Sequence, residues 1–380
     1  MADRGGELAA SHKPLDSTPP PRAMAKGKGR ILSIQSHVAY GYVGGKAAVF
    51  PLQCLGYDVD VVNTVNFSNH SGYGRFGGPR ATAAELEQII GVMEQNELLQ
   101  QDRLLTGYIP GAEATAAVTA LAKKLREGNP ELIYLLDPVL GDSGRLYVAP
   151  EVVPIYQAAL PLATIITPNW FEVEVLTGIK MTDAASLRRA LQMLHETYHV
   201  PNVVISSIPL RPWLTALLPP NLRPPADAAD TDCLACIASS RANGEPSAAG
   251  PTAVYAKTFP CLPGYFSGVG DLFSALVLAH FDESGETERR AEGESALSHA
   301  ASQAVSKTHA ILSLTHEAAL ELPEDERQAT DEELDAREPM RKIKRMRGRE
   351  LRLIQGQDII RGTQPIEYRR LERWGNFWTA

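Results

Sequence analysis

Residues 131–142 read ELIYLLDPVLGD. Five apolar or aromatic side chains, Leu132 to Leu136, follow one another without a polar break, so a strand made from them has both faces covered. That is the habit of a parallel sheet packed between helices, whereas a half-exposed strand alternates. The run stops at Asp137, and a second acid, Asp142, follows a proline turn. In a parallel α/β sheet ligands bind beyond the carboxyl ends of the strands, so an acid at that point faces a crevice and not the core.

The same form recurs on either side. Strand-like runs occupy 31–34, 58–65, 103–107, 163–167 and 202–206, and helical periodicity occupies 47–55, 84–100, 113–127, 170–177, 184–198 and 296–319. Strands alternating with helices predict an α/β fold: three layers, with a central, mostly parallel sheet. The strand ends then deliver Ser36, the segment 66–73 (NFSNHSGY), Thr106, Asp137, Thr167 with Asn169, and Ser206 with Ser207 to one edge. Each alone reads as a turn or capping residue, and their convergence on one edge is the signal.

Composition bounds the rest. The chain has 380 residues, 44% hydrophobic and 22% charged, as expected of an ordinary globular protein. Its net charge, 37 − 45 = −8, argues against a broad electrostatic hold on nucleic acid. Four cysteines (Cys54, Cys233, Cys236, Cys261) make no disulfide framework and point to a reducing compartment, and Cys233-Leu-Ala-Cys236 reads as incidental loop spacing. No apolar run nears the roughly 20 residues of a membrane span. Residues 1–29 read as a disordered polar tail without the apolar centre of a signal peptide. A soluble cytoplasmic protein is expected.

The expected folded unit spans 30–320 plus 349–361, interrupted by a Pro/Ala/Ser-rich loop insertion at 210–250 and a charged insertion at 321–348, with a terminal tail at 362–380. The charged insertion sets an acidic block (LPEDERQATDEELDARE) before a basic one (RKIKRMRG) and reads as a solvated, partly helical excursion. Nuclear targeting is the second reading of its basic part.

Phosphate chemistry is suggested by residues 267–275, SGVGDLFSA. Glycine-freed backbone N–H groups at a helix start form an anion cradle, and the spared Cβ atoms leave room for a phosphoryl group. The common nucleotide motifs do not fit. Tyr40 stands at the first glycine position of a Walker A pattern and Ala47 follows Lys46; Phe273 takes the last position of GxGxxG. Asp271 is either a reactive carboxylate or a helix N-cap.

Several stretches in order carry a resemblance: 33–73 (SIQSHVAYGYVGGKAAVFPLQCLGYDVDVVNTVNFSNHSGY), LLTGY, DPVLGD, IITPNWFEVEVLTG, VVISS and GVGDLFSALVLA. Together they resemble the pyridoxal kinases of the ribokinase-like superfamily over 30–207, 253–319 and 349–360. SIQSHV and FSNHSGY favour that family over its relatives, while GxGD and TPN are shared more widely. The resemblance implies an ATP-dependent kinase acting on the 5′-hydroxymethyl of B6 vitamers, with Mg²⁺, a monovalent cation (K⁺ or Na⁺) and a homodimer. It implies that Ser36 bonds the pyridine side of the substrate, that Val43 and Tyr108 flank its ring, and that Ser71 meets its substituents. Asp137, Asn169, Ser206 and Ser207 would line the ATP phosphate region, and Leu262, Pro263, Gly264 and Val269 would lie along the nucleotide. Asp142, with Asp137, Thr167 and Glu172, would serve the cation sites. Gly268 and Gly270 would form the anion hole, and Asp271 would be the base. Ser71, Ser206 and Val269 stand where many members have threonine. His37 reads as a packed turn residue and His70 as a loop hydrogen-bonder shaping the substrate pocket. The rival readings are a hydroxymethylpyrimidine or sugar kinase of the same fold, and an inactive B6- or nucleotide-binding relative.

Overall fold

The computed structural model describes residues 28–224, 233–241, 251–285 and 290–379. The expected N-terminal tail up to residue 27 lies outside the described residues, as do 225–232 and 242–250 of the expected loop insertion. The strands are β1 (Arg30–Val38), β2 (Asp58–Phe67), β3 (Arg103–Thr106), β4 (Ile133–Leu136), β5 (Gly141–Asp142), β6 (Arg145–Leu146), β7 (Ile165–Ile166), β8 (Asn202–Pro209), β9 (Cys233–Arg241), β10 (Thr252–Pro260) and β11 (Glu372–Arg373). One sheet runs β2-β1-β3-β4-β7-β8-β9-β10-β11, parallel from β2 to β8 and antiparallel beyond, while β5 and β6 form a separate ribbon.

Because successive side chains of a strand point to opposite faces, each apolar run feeds two cores. Leu32, Leu104, Leu136, Ile166 and Val203 pack under α2 (Ala83–Gln95), α3 (Ala112–Gly128), α4 (Val153–Ala159), α5 (Trp170–Thr177), α6 (Ala184–Gln192) and α7 (Pro212–Leu217). Their neighbours Ile31, Leu105, Leu135, Ile165 and Val204 pack under α1 (Gly45–Cys54), α8 (Val269–His280), α9 (Ala296–Leu320) and α12 (Gln357–Arg361). The α/β reading of 131–142 is met.

Three boundaries need correction. The expected loop 210–250 contains β9, a central strand whose Ala235 and Ile237 face one core and whose Cys236 and Ala238 face the other. Small residues in a Pro/Ala/Ser-rich neighbourhood hid its alternation. Cys233 and Cys236 are three apart on that strand and enter opposite cores, so they cannot share a ligand. The charged insertion folds back on itself: Arg347 pairs with Glu326 at 2.8 Å, Lys344 with Asp325, and Arg345 with Asp335. These contacts stand α10 (Glu332–Arg337) against α11 (Pro339–Gly348) and α11 beside the turn Ser71–Tyr73, with Arg345 and Met346 buried. The partly helical reading is met and the acidic block is mostly exposed, but the end of the basic block is packed in, so the insertion is only partly solvated. The helix expected over 184–198 leaves α geometry after Gln192 and finishes as the π turn Met193–Thr197.

The expected tail 362–380 is likewise part of the core. Trp374 N–H donates to Val254 O at 2.8 Å, Trp378 Nε1 donates to Thr252 O at 3.0 Å, and Leu371, Trp374 and Phe377 are buried. Phe377 meets Trp374 and Trp378 edge-on at 5.0 and 4.9 Å. Three anchors among polar residues leave no periodicity to read. Phe377→Ala is expected to cost about 3–5 kcal/mol of unfolding free energy, because it opens a cavity among rings. A chemical-unfolding midpoint measures it, and a loss below about 0.5 kcal/mol would return this segment to the surface.

Candidate active site

The chain runs from β1 to β2 on one side and then to β3 on the other. At such a switch point the connecting loops diverge and leave a crevice at the carboxyl edge. A cavity of about 720 Å³ opens there. Every residue assigned above to substrate, nucleotide, cation or catalysis lines it except Pro263, which is exposed; Thr106, expected at the same edge, is instead buried with its hydroxyl 2.9 Å from that of Tyr134. His37, opposite Asn66 in the β1–β2 ladder, does not line it.

Three serines reach the cavity through irregular backbone. The β1–β2 register shifts between Gln35 and Ser36, and the β8–β9 register between Ile205 and Ile208, which frees Ser206 and Ser207 from the ladder. Bulges of this kind re-aim side chains at the edge of a sheet.

Asp271 is not the N-cap of α8. Gly268 holds that position at φ +81° with no side-chain cap, and Asp271 follows in the first turn. A Cβ on Gly268 would overlap the Tyr42 carbonyl oxygen, so this glycine is required by the protein itself. A Cβ on Gly270 would meet nothing within 4 Å. Gly268 is thus demanded by the protein's own backbone, while the space beside Gly270 stands open. The first helical bond is Leu272 N to Gly268 O at 3.0 Å, leaving the N–H groups of Val269, Gly270 and Asp271 without an intrahelical acceptor.

The Asp271 carboxylate accepts from Gly44 N at 2.7 Å. Burial raises its pKa above the usual carboxylate range, with the Gly44 bond opposing. Asp137, at the end of β4, is raised by burial and then by the charge of Asp271, against a 2.9 Å bond from Ser274 Oγ. Ser274 sits one turn after Asp271, and its hydroxyl is 2.8 Å from that of Thr167. Sequence reasoning gave Ser274 no role, although it lies in the motif 267–275.

Glu172 is also raised, by burial and then by Asp137. Its oxygens are already engaged: Leu140 N donates at 3.0 Å and Asn169 N at 2.8 Å. Asn169 caps α5 in return, accepting from Glu172 N at 3.0 Å while its amide donates to Gly141 O at 2.8 Å. Both brace the turn that carries Asp142. Among the described residues no three acidic, imidazole or thiol groups converge to cage a metal by themselves.

Other lining residues were not anticipated. Leu234, Phe259, Val305 and Leu312, from β9, β10 and α9, form an apolar wall. Beyond the lining, Glu350 joins His70, Tyr73 and Tyr42. Burial pushes its carboxyl up, and bonds from these three groups more than reverse that, leaving it below its ordinary value. Residues 349–360 of the resemblance contain Glu350, but nothing in their pattern marked this residue out.

A family model described as phosphomethylpyrimidine kinase matches residues 94–211. A Schizosaccharomyces pombe protein assigned to the pyridoxal kinases is 33% identical over 349 residues, spanning 90% of this chain and 93% of its own length. The pyridoxal kinase of Ovis aries is 38% identical over 255 residues, 66% of this chain and 76% of its own. Among solved structures, pyridoxal kinase from Leishmania donovani in complex with ADP and pyridoxamine superposes with a TM-score of 0.70 at 30% identity, covering 90% of this chain and 99% of that one. With 33% identity sustained along 93% of a relative's length and the same fold at a TM-score of 0.70, the chain belongs to the pyridoxal kinase family.

Proposed function

We propose that this chain transfers the γ-phosphoryl group of ATP to the 5′-hydroxymethyl of pyridoxal, pyridoxine and pyridoxamine. The observation that carries the reading is one continuous cavity holding both expected residue sets, with Asp271 and the free N–H groups of α8 on its wall. A structure similar to this one, at 30% identity, holds ADP and pyridoxamine together.

Asp271 takes the proton of the 5′-hydroxyl as that oxygen attacks the γ-phosphorus. The bond from phosphorus to the β–γ bridging oxygen breaks, and ADP leaves. A raised pKa suits this task, because a base is most effective when its affinity for the proton approaches the working pH. The amides of Val269 and Gly270, with the positive end of α8, face charge on the phosphoryl oxygens. Ser36, Val43, Ser71 and Tyr108 are assigned to the vitamer, while Ser206, Ser207, Leu262 and Gly264 are assigned to ATP.

A divalent cation fits beside Asp137 and Asp142. Asp137, Asp271 and Glu172 are carboxyls driven up by burial, and Arg80 is the sole lysine or arginine among the described lining residues, so their charge lacks a built-in counterpart. A site with few protein ligands suits Mg²⁺, which completes its shell with phosphate oxygens and water. Bound there, it would draw charge from the transferring phosphoryl group. Thr167 and Glu172 are assigned to the neighbourhood of a monovalent cation. A homodimer acting in the cytoplasm completes the proposal.

An ADP-release assay across pyridoxal, hydroxymethylpyrimidine and ribose tests the substrate class. Turnover of pyridoxal well above the other two is expected, and preference for the pyrimidine would transfer the chain to the rival reading.

Asp271→Asn keeps the shape of the side chain and an acceptor for Gly44, and removes the base. It is expected to lower kcat by roughly 10²–10⁴-fold with little change in melting temperature. Retention of a tenth or more of kcat, about 1.4 kcal/mol or less, would place the base elsewhere.

The two glycines separate. Gly270→Ala is expected to hold or raise the melting temperature, since alanine favours a helix by about 1 kcal/mol, yet to cut kcat/KM by about tenfold or more. Gly268→Ala is expected to lose stability as well, by about 1 kcal/mol or more. Equal behaviour of both variants in the melt would contradict the assignment of Gly270 to ligand space.

A further inference from the structure

The assigned vitamer residues Val43 and Ser71 stand on two separate stretches, the loop 40–44 and the turn Ser71–Tyr73, and none of the assigned residues holds the two together. Glu350 does. It comes two residues after α11, and its side chain is 10% exposed. Oε1 accepts from the Tyr73 hydroxyl at 2.7 Å and lies 3.1 Å from His70 Nε2; Oε2 accepts from Tyr42 N at 2.8 Å. His70 Nδ1 accepts from Gly72 N at 3.1 Å, so the ring proton sits on Nε2 and is donated to Glu350. Three donors from distant parts of the chain thus meet one carboxylate.

The bonds lead to the reacting groups. Tyr42 stands two residues before Gly44, whose N–H holds Asp271, and its carbonyl is the atom that a Cβ on Gly268 would overlap. The Nδ1 atom of His70 is 3.2 Å from the hydroxyl of Ser267, the residue before Gly268. Gly41, at φ +89°, lets the backbone wrap the carboxylate, since a Cβ there would overlap it. The charged insertion delivers this residue: its internal ion pairs set α11 so that Met346 lies beside Gly72, with Glu350 following.

We propose that Glu350 is a positioning residue for the kinase reaction, which fixes the loop 40–44 and the turn Ser71–Tyr73 against the Ser267–Gly268 corner so that Val43, Ser71 and Asp271 meet the vitamer together. This rests on the kinase reading of the cavity. The position calls for a carboxylate, because all three neighbours are donors. An amide must turn its NH₂ toward one of them, and a donor facing a donor in a buried place is expelled or unsatisfied.

The test is steady-state kinetics of the full chain as wild type, Glu350→Gln, Tyr73→Phe and the double variant, with melting temperatures alongside. Glu350→Gln is expected to raise the KM for pyridoxal about tenfold or more and to keep the KM for ATP within about twofold. Tyr73→Phe, which removes one donor, is expected to raise the pyridoxal KM about threefold, and the double variant to lie within about twofold of Glu350→Gln, because the two residues share one network. An unchanged pyridoxal KM in Glu350→Gln, or an equal rise for both substrates, overturns the proposal even if the melting temperature falls. Should Glu350→Gln not fold, Tyr73→Phe decides by the same criterion. A wild type inactive toward every vitamer overturns the kinase reading and this inference with it, whereas an active wild type with an unaffected Glu350→Gln overturns the inference alone.

Discussion

The Tyr42 carbonyl oxygen occupies the space where a side chain at residue 268 would begin. This close approach seats the start of α8 against the loop after β1, and the rest of the site follows from it. Gly44, two residues on, then reaches the Asp271 carboxylate, and the N–H groups of the first turn of α8 stay open toward the cavity. The apolar body of α8 is buried between α1 and α9, so the position of its first turn is set by the core. A reactive carboxylate on such a helix needs no mobile loop to aim it.

Around that corner the structure concentrates negative charge. On top of burial, the charge of Asp271 raises the cost of ionising Asp137, and the charge of Asp137 raises that of Glu172. Leaving buried carboxyls without a counter-charge is unfavourable, and such perturbed carboxyls gathered in a cleft mark a candidate functional site. Ser274 and the backbone N–H groups on Glu172 moderate this cost and hold the groups in place.

Distant segments of the chain close the site from outside. β9 and β10 extend the parallel sheet with antiparallel strands and bring Leu234 and Phe259 to the apolar wall. The acidic and basic blocks neutralise each other in an intramolecular clasp beside the turn Ser71–Tyr73. The last residues add β11 and bury Trp374 and Phe377 in the helix layer that faces away from α8.

The sequence by itself determined the parts written in local pattern. Continuous apolar runs such as Leu132–Leu136 specify strands buried on both faces, helical periods between them specify the crossovers, and the strand-end residues Ser36, Asp137, Thr167 and Ser206 therefore share an edge. Glycine and aspartate in SGVGD marked the helix start that lines the cavity. The tertiary structure alone decided what depends on contacts across long separations. Glu350 bonds Tyr42, which is 308 residues away, and no local period encodes such a partner. The small residues of β9 form a strand because two cores are there to receive them, and Phe377 is core because Trp374 and Trp378 surround it. The different demands on Gly268 and Gly270 likewise appear only once the Tyr42 carbonyl is in place, since a glycine in a sequence does not say whether protein or ligand fills the space it leaves.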